Sequence, residues 1–184
     1  FRATAAVRGA GAVPVVMSYW NLVLGRGVDR YAADLAAAGG AGIITPDLIP
    51  EEAGEWTEAS ERHGLDRIFL VAPSSTPERI ATVTAACSGF VYTASTMGVT
   101  GTRGSVGSSA PQLVARVREA TDLPLCVGLG VSNGAQAAEV ASFADGVIVG
   151  SALVATLLDR GRDEGLAALR ELTAELAEGV RGRA

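Results

Sequence analysis

The sequence predicts an α/β protein built on a parallel sheet, and three observations carry that prediction. Short apolar runs rich in β-branched residues recur six times, beginning at Val13, Ala41, Arg67, Phe90, Leu123 and Gly146. Their starts lie 28, 26, 23, 33 and 23 residues apart, about the length of one strand–helix unit. The runs lack strict polar–apolar alternation, so both faces of each strand are expected to be buried, as in a parallel sheet. Repeated units in one order suit either an open doubly wound sheet or part of a closed eight-stranded barrel. No GxGxxG follows the first run, which weighs against the doubly wound form and towards the TIM (β/α)8 barrel. A full barrel takes about 250 residues. The 184 residues are therefore expected to hold about six βα units, strands three to eight, in a single partial barrel domain over 1–184.

The elements follow in order. The opening FRATAAVRGAG has helical composition and ends in glycines, as a helix C-terminus does, with no capping residue before it. It reads as the end of a helix whose start is missing, from an N-terminally truncated chain. VPVVMSYW, from Val13, is the first strand. Val28, Tyr31, Ala32 and Leu35 then fall at i, i+3, i+4, i+7, and Gly39-Gly40 ends that helix. After the AGIITPD strand, Pro50-Glu51-Glu52 opens a second helix, with acids near the positive end of its dipole. RIFLVAP is the third strand, and Thr76-Pro77-Glu78 opens the helix after it with Thr76 as N-cap. FVYTAS is followed by a long Gly/Ser/Thr connection and a helix around 111–120. LPLCVGLGV leads to a helix around 135–141, and GVIVGSAL to a short helix in SALVATLL. A last helix, about 163–180, sets Leu166, Leu169, Leu172 and Leu176 on one stripe.

Composition narrows the function. Hydrophobic residues make up 48% and the net charge is −5, which supports a packed core and weighs against a nucleic-acid or membrane-surface binder. All fifteen basic residues are arginine, so no lysine Schiff base can form within this chain. Two cysteines, Cys87 and Cys126, and one histidine, His63, provide neither a disulfide framework nor a zinc site, and no metal site is expected. No apolar run reaches the ~18 residues of a membrane span. A reducing cytoplasm is the expected setting.

Barrel chemistry sits at the C-terminal ends of the strands, and three of those ends are rich in glycine. They are Thr96–Gly104, running on to Gly107-Ser108-Ser109, then Gly128–Asn133, and Val149–Ala152. Glycine lets backbone N–H groups approach an anion without a Cβ in the way. In barrels, phosphate is bound by the loops after strands seven and eight and by the start of a short extra helix. Gly130 and Gly150-Ser151 fall at those two places. The long connection carrying Thr100 and Gly101 reads as a lid. Tyr19, Asn21, Asp47 and Tyr92 lie at or just past strand ends and can face a ligand, although Tyr92 also suits barrel filling and Asp47 a plain turn. His63 reads as a helix-end residue and Trp56 as packing. No paired carboxylates or Ser–His–Asp set occurs at the strand ends, so no catalytic residue is assigned in this chain.

Five ordered segments complete the reading: Pro14–Asn21, Thr45–Glu52, Gly98-Val99-Thr100-Gly101, Gly128-Leu129-Gly130-Val131 and Gly150-Ser151-Ala152. Together they resemble the tryptophan synthase alpha chain family across nearly the whole length. The resemblance implies a TIM-barrel lyase that cleaves indole-3-glycerol phosphate to indole and glyceraldehyde 3-phosphate. It implies that Gly101, Gly130, Gly150 and Ser151 bind the substrate phosphate, that Tyr92 lies beside the substrate, and that Thr100 sits on the lid. Tyr19, Asn21, Ile44 and Leu129 would lie near the indole or the subunit interface. Asp47–Pro50 would face a partner beta chain, in an alpha2beta2 tetramer, and that partner carries pyridoxal phosphate; none is expected in this chain. The family's catalytic glutamate and aspartate belong to the first two βα units, so the chain alone is expected to be inactive. A non-catalytic phosphate-binding barrel module and a phosphate-binding barrel isomerase remain as alternatives.

Overall fold

The structure is a computed structural model that describes residues 1–94, 109–128, 130–158 and 160–182. It holds two compact units, Phe1–Leu70 with Thr76–Tyr92, and Val71–Ser75 with Thr93–Ala184. The first unit runs α1 (Arg2–Gly9), β1 (Val15–Met17), α2 (Trp20–Arg26), α3 (Val28–Ala37), β2 (Gly42–Ile44), a 3-10 turn (Pro50–Glu52), α4 (Gly54–His63) and β3 (Asp66–Ile68). Next come β4 (Leu70–Val71), α5 (Pro77–Ala86) and β5 (Val91–Ala94), with the residues of β4 and β5 divided between the units. The second unit continues with α6 (Ser109–Arg118), β6 (Leu125–Gly128), α7 (Gly134–Ala141), β7 (Gly146–Val147), α8 (Ser151–Leu158) and α9 (Arg162–Arg181).

In the first sheet, order β1-β2-β3, parallel pairing aligns Met17 with Ile44 and Ile44 with Ile68. The three strands thus end level. Ser18 N–H donates to Ile44 C=O and Thr45 N–H to Ile68 C=O, which carries the ladder one residue further. Residues just past β1 and β2 therefore share one edge. Beneath them, Val28, Ala32 and Leu35 of α3 and Trp56 and Ala59 of α4 are buried, at the helical spacing their pattern requires. Gly39, at φ +80°, stops α3 in a backbone conformation that favours glycine.

The structure differs from the sequence reading at three places in this unit. Trp20 does not extend the first strand; it opens α2, an element the apolar run concealed. Pro50-Glu51-Glu52 does not open α4 but forms its own turn, closed by Glu52 N–H to Ile49 C=O and Ala53 N–H to Pro50 C=O. The tighter i→i+3 bonds re-aim the chain at buried Ala53, and Trp56 enters the core fully covered. The run RIFLVAP is two strands rather than one, because Asp66–Ile68 pairs in the first sheet and Leu70–Val71 in the second. Between them Phe69 is buried; its N–H donates to Cys87 Sγ and its C=O accepts from Tyr92 N–H.

The second sheet has the order β4-β5-β6-β7. β6 and β7 are parallel, Cys126 opposite Gly146 and Val127 opposite Val147. Asp145 Oδ2 accepts from Leu125 N–H at 2.9 Å and from the Arg118 guanidinium at 2.8 Å, tying α6 to the starts of both strands. α7 and α9 touch backbone to backbone: a Cβ on Gly179 would stand 2.2 Å from Gly134 O, and one on Gly134 2.8 Å from Glu175 O. Both cysteines are free, and burial pushes each thiol up to about 11. Among the described residues no helix is long and apolar enough to cross a membrane.

Candidate functional site

The two glycine-rich ends after β6 and β7 lie on neighbouring parallel strands. Ile148 N–H donates to Val127 C=O at 2.8 Å, holding the strands together to within two residues of Gly150. Gly130 has φ +103°, a conformation open to glycine and strained for other residues. Gly150 is exposed, and a Cβ there would find no heavy atom within 4 Å. Its C=O accepts from Leu153 and Val154 N–H, starting α8 at Ser151. Glycine has no side chain to cap a helix, so Gly150 leaves the first N–H groups of α8 without a cap of its own. Such a helix start suits an anion. A cleft of about 670 Å³ opens beside it, lined by Ser132, Ala152, Ala155, Thr156, Arg160, Glu164 and Leu172.

Ser132 and Asn133, read in the sequence as part of the Gly130 phosphate turn, serve α7 instead. Asn133 Oδ1 accepts from Gln136 N–H at 2.9 Å as an N-cap. Gln136 Oε1 reaches back and accepts from Ser132 N–H and Ser132 Oγ at 2.7 and 3.0 Å. Glu175 Oε1, from α9, accepts from Gly134 N–H at 2.7 Å. The start of α7 is occupied by the protein's own oxygen atoms. Neither Gln136 nor Glu175 stood out in the sequence; an N-cap followed three residues later by Gln is the capping-box signal that marks the first.

In the first unit, Tyr19 is 66% exposed, Asn21 is exposed, and Ile44 is buried at the end of β2. Tyr92 is buried in β5, and that burial pushes its phenol above its ordinary value. Asp47, past β2, accepts from the backbone N–H of Trp20 with both oxygens, Oδ1 at 3.0 Å and Oδ2 at 3.1 Å. No local pattern announces that contact, because its partners are 27 residues apart. Arg79, at the start of α5, holds Glu51 of the 3-10 turn. The backbone thus sets Tyr19, Asn21, Ile44 and Asp47 at the level end of one sheet, and Gly130, Gly150 and Ser151 at the end of another strand pair. Thr100, Gly101 and Leu129 lie outside the described residues.

His63 closes α4, and its Nε2 lies 3.1 Å from Asp29 Oδ1, which also accepts from Arg62. Asp29 is exposed, and the bonds from His63 and then Arg62 hold its carboxyl below the ordinary value of 3.8. This cluster joins α3 to α4, away from the strand ends.

The family model described as "Tryptophan synthase alpha chain" matches residues 3–181. The tryptophan synthase alpha chain of Mycobacterium avium (strain 104) is 64% identical over 182 residues, covering 99% of this chain and 66% of the relative. That of Nocardia farcinica is 64% identical over 181 residues, with 98% and 66% covered. Among solved structures, Mycobacterium tuberculosis tryptophan synthase aligns with a TM-score of 0.90 and 62% identity over 97% of this chain and 66% of that one. The structure of the tryptophan synthase a2b2 complex from Pyrococcus furiosus aligns with a TM-score of 0.83 and 31% identity, over 97% and 71%. The chain spans about two thirds of the length of the curated relatives it matches. The fold class is the TIM-barrel α/β class that the strand spacing predicts, and the chain belongs to the tryptophan synthase alpha chain family.

Proposed function

We propose that the protein acts as the alpha subunit of tryptophan synthase, a lyase that cleaves indole-3-glycerol phosphate to indole and glyceraldehyde 3-phosphate. The observation that carries this reading is the glycine-lined end of β6 and β7: Gly130 at positive φ, Gly150 with open space, and the start of α8 at Ser151 behind a residue that has no capping side chain. There the substrate phosphate accepts hydrogen bonds from the first backbone N–H groups of α8 and from Gly101, with Thr100 on the lid. Tyr92 is assigned a place beside the substrate, and Tyr19, Asn21, Ile44 and Leu129 the indole pocket or the subunit interface. The residues form one partial barrel domain, and the setting is the cytoplasm.

The cleavage is a retro-aldol step. One C–C bond breaks, the indole ring carbon gains a proton, and the side-chain hydroxyl loses one as it becomes the aldehyde. It needs a proton donor and an acceptor, and no lysine. We assign both to carboxylates of the family's first two βα units, outside this chain, so Glu51 and Glu52 are not their substitutes. The partner is a beta chain in an alpha2beta2 assembly, which holds pyridoxal phosphate and receives the indole. It is expected to meet the Asp47–Pro50 loop.

Calorimetric titration of this chain with indole-3-glycerol phosphate tests the reading. Binding is expected to be competed by glycerol 3-phosphate, with no indole released by the purified chain alone. Binding indifferent to that competitor overturns the phosphate assignment. Indole release by the chain alone overturns the placement of the acid–base pair.

A further inference from the structure

The most informative contact outside the phosphate end is the one that Asp47 makes. α2 has seven residues, and its N-cap residue, Tyr19, takes the extended conformation of a cap (φ −69°, ψ 143°) without a side-chain bond to the helix. Its first N–H, on Trp20, is met instead by the two Asp47 oxygens from across the sheet edge. A carboxylate at that place satisfies an orphan donor and opposes the positive end of the helix. The loop that holds Asp47 is itself anchored. Leu48 and Ala53 are buried, and Glu51 is paired with Arg79. On the helix side, Val23 is fully buried and the Trp20 ring lies 6.3 Å from that of buried Trp56. Between these anchors the apolar side chains of Tyr19, Leu22 and Ile49 stay exposed, at 66%, 62% and 42%.

We propose that Asp47 is a positioning residue for docking of the beta chain: it caps α2 from a distance and so presents Tyr19, Leu22 and Ile49 as one preformed surface. The inference rests on the functional reading above. Its content is that the carboxylate works inward, on Trp20, rather than outward on the partner. Preforming a surface lowers the ordering cost of association.

Backbone hydrogen exchange of the Trp20 amide, read by NMR on this chain, reports the clamp directly. Exchange of the Thr45 amide, in the β2–β3 ladder, reports whether the sheet is intact. Affinity for the purified beta chain of a mycobacterial relative reports docking. Asp47→Ala is expected to speed Trp20 exchange by about tenfold, the usual size of a lost cap, and to weaken docking by a similar factor, with Thr45 unchanged. Asp47→Asn keeps one acceptor oxygen, and is expected to fall between wild type and Asp47→Ala in both readouts together. Unchanged Trp20 exchange in Asp47→Ala overturns the clamp. Docking lost in Asp47→Asn while Trp20 stays protected overturns the positioning role in favour of direct contact. A wild-type chain that fails to bind the beta chain overturns the docking role along with the functional reading, while exchange still decides the clamp.

Discussion

α7 and α8 each follow the end of one of two neighbouring parallel strands, behind similar stretches of glycine and small polar residues, yet they begin in opposite ways. At α7, Asn133, Gln136 and Glu175 bring side-chain oxygens to the backbone of the helix and of the turn before it. At α8, Gly150 brings none and leaves open space. The difference teaches what turns a glycine-rich strand end into a ligand site. Glycine makes room in both, but a site also needs donors that the protein has left for something else. One start is structural for that reason, and the other is the one we propose for a phosphate.

The comparison can be broken most forcefully at Gly179. A Cβ there would stand 2.2 Å from Gly134 O, so Gly179→Ala must push α9 away from the start of α7 and take Glu175 with it. A loss of about 3 kcal/mol is expected, at the upper end of overpacking costs, and urea unfolding measures it. A Gly179→Ala chain as stable as wild type would mean that α9 does not close α7.

Gly150→Ala probes the opposite start. Its Cβ meets no protein atom, so stability should change by less than about 1 kcal/mol. If the proposed site holds the anion, affinity for glycerol 3-phosphate should fall by about tenfold, because a methyl group at the start of α8 crowds an anion bound to its N–H groups. Calorimetry beside a thermal melt separates the two effects. Equal losses in both would make α8 a structural start like α7.

A smaller effect sharpens the α7 side. Asn133→Ala removes one N-cap and is expected to destabilise by about 1 kcal/mol, read by the same urea titration, with no change in glycerol 3-phosphate affinity. Altered affinity there would bring α7 into the ligand site.

The smallest effect belongs to a helix start in water. Asp29, in the first turn of α3, has its carboxyl held below 3.8 by His63 and Arg62. A lowered folded-state value adds stability that is present above the unfolded value and is lost as pH falls through the folded one. Asp29→Asn should therefore lower the melting temperature slightly at neutral pH, and the gap to wild type should close below about pH 4. A gap that persists in acid would mean that the carboxylate charge contributes nothing. Water screens this cluster, unlike the start of α7.

Much of the fold was legible in the sequence because periodicity is a local property. Val28, Ala32 and Leu35 mark the buried face of α3, and Thr76 caps α5 by accepting from Arg79 N–H. The last helix, expected over about 163–180, runs Arg162–Arg181. Boundaries failed where apolar content outlasted one structure. Trp20 sits in an apolar run and opens a helix, and the run through Phe69 is divided between two sheets. Hydrophobicity says that a residue is buried without saying which neighbour takes its hydrogen bonds.

The candidate site was legible to the same extent. Gly130 and Gly150-Ser151 could be named from composition at strand ends, since the need for a backbone without Cβ is written in the residue type. The roles of Asp47 and Glu175 could not. Each depends on which groups the folded chain brings within 3 Å, and these include Trp20, which is 27 residues from Asp47, and Gly134, which is 41 residues from Glu175.

By itself the sequence determined the fold class, the repeating strand–helix pattern, the family, and the places where glycine leaves the backbone bare. All of these follow from spacing, side-chain size and conformational freedom along the chain. Only the tertiary structure decided which helix start is closed and which is open, and that Asp47 caps α2. Hydrogen bonds form by proximity in space, and distant residues become neighbours only once the chain has packed.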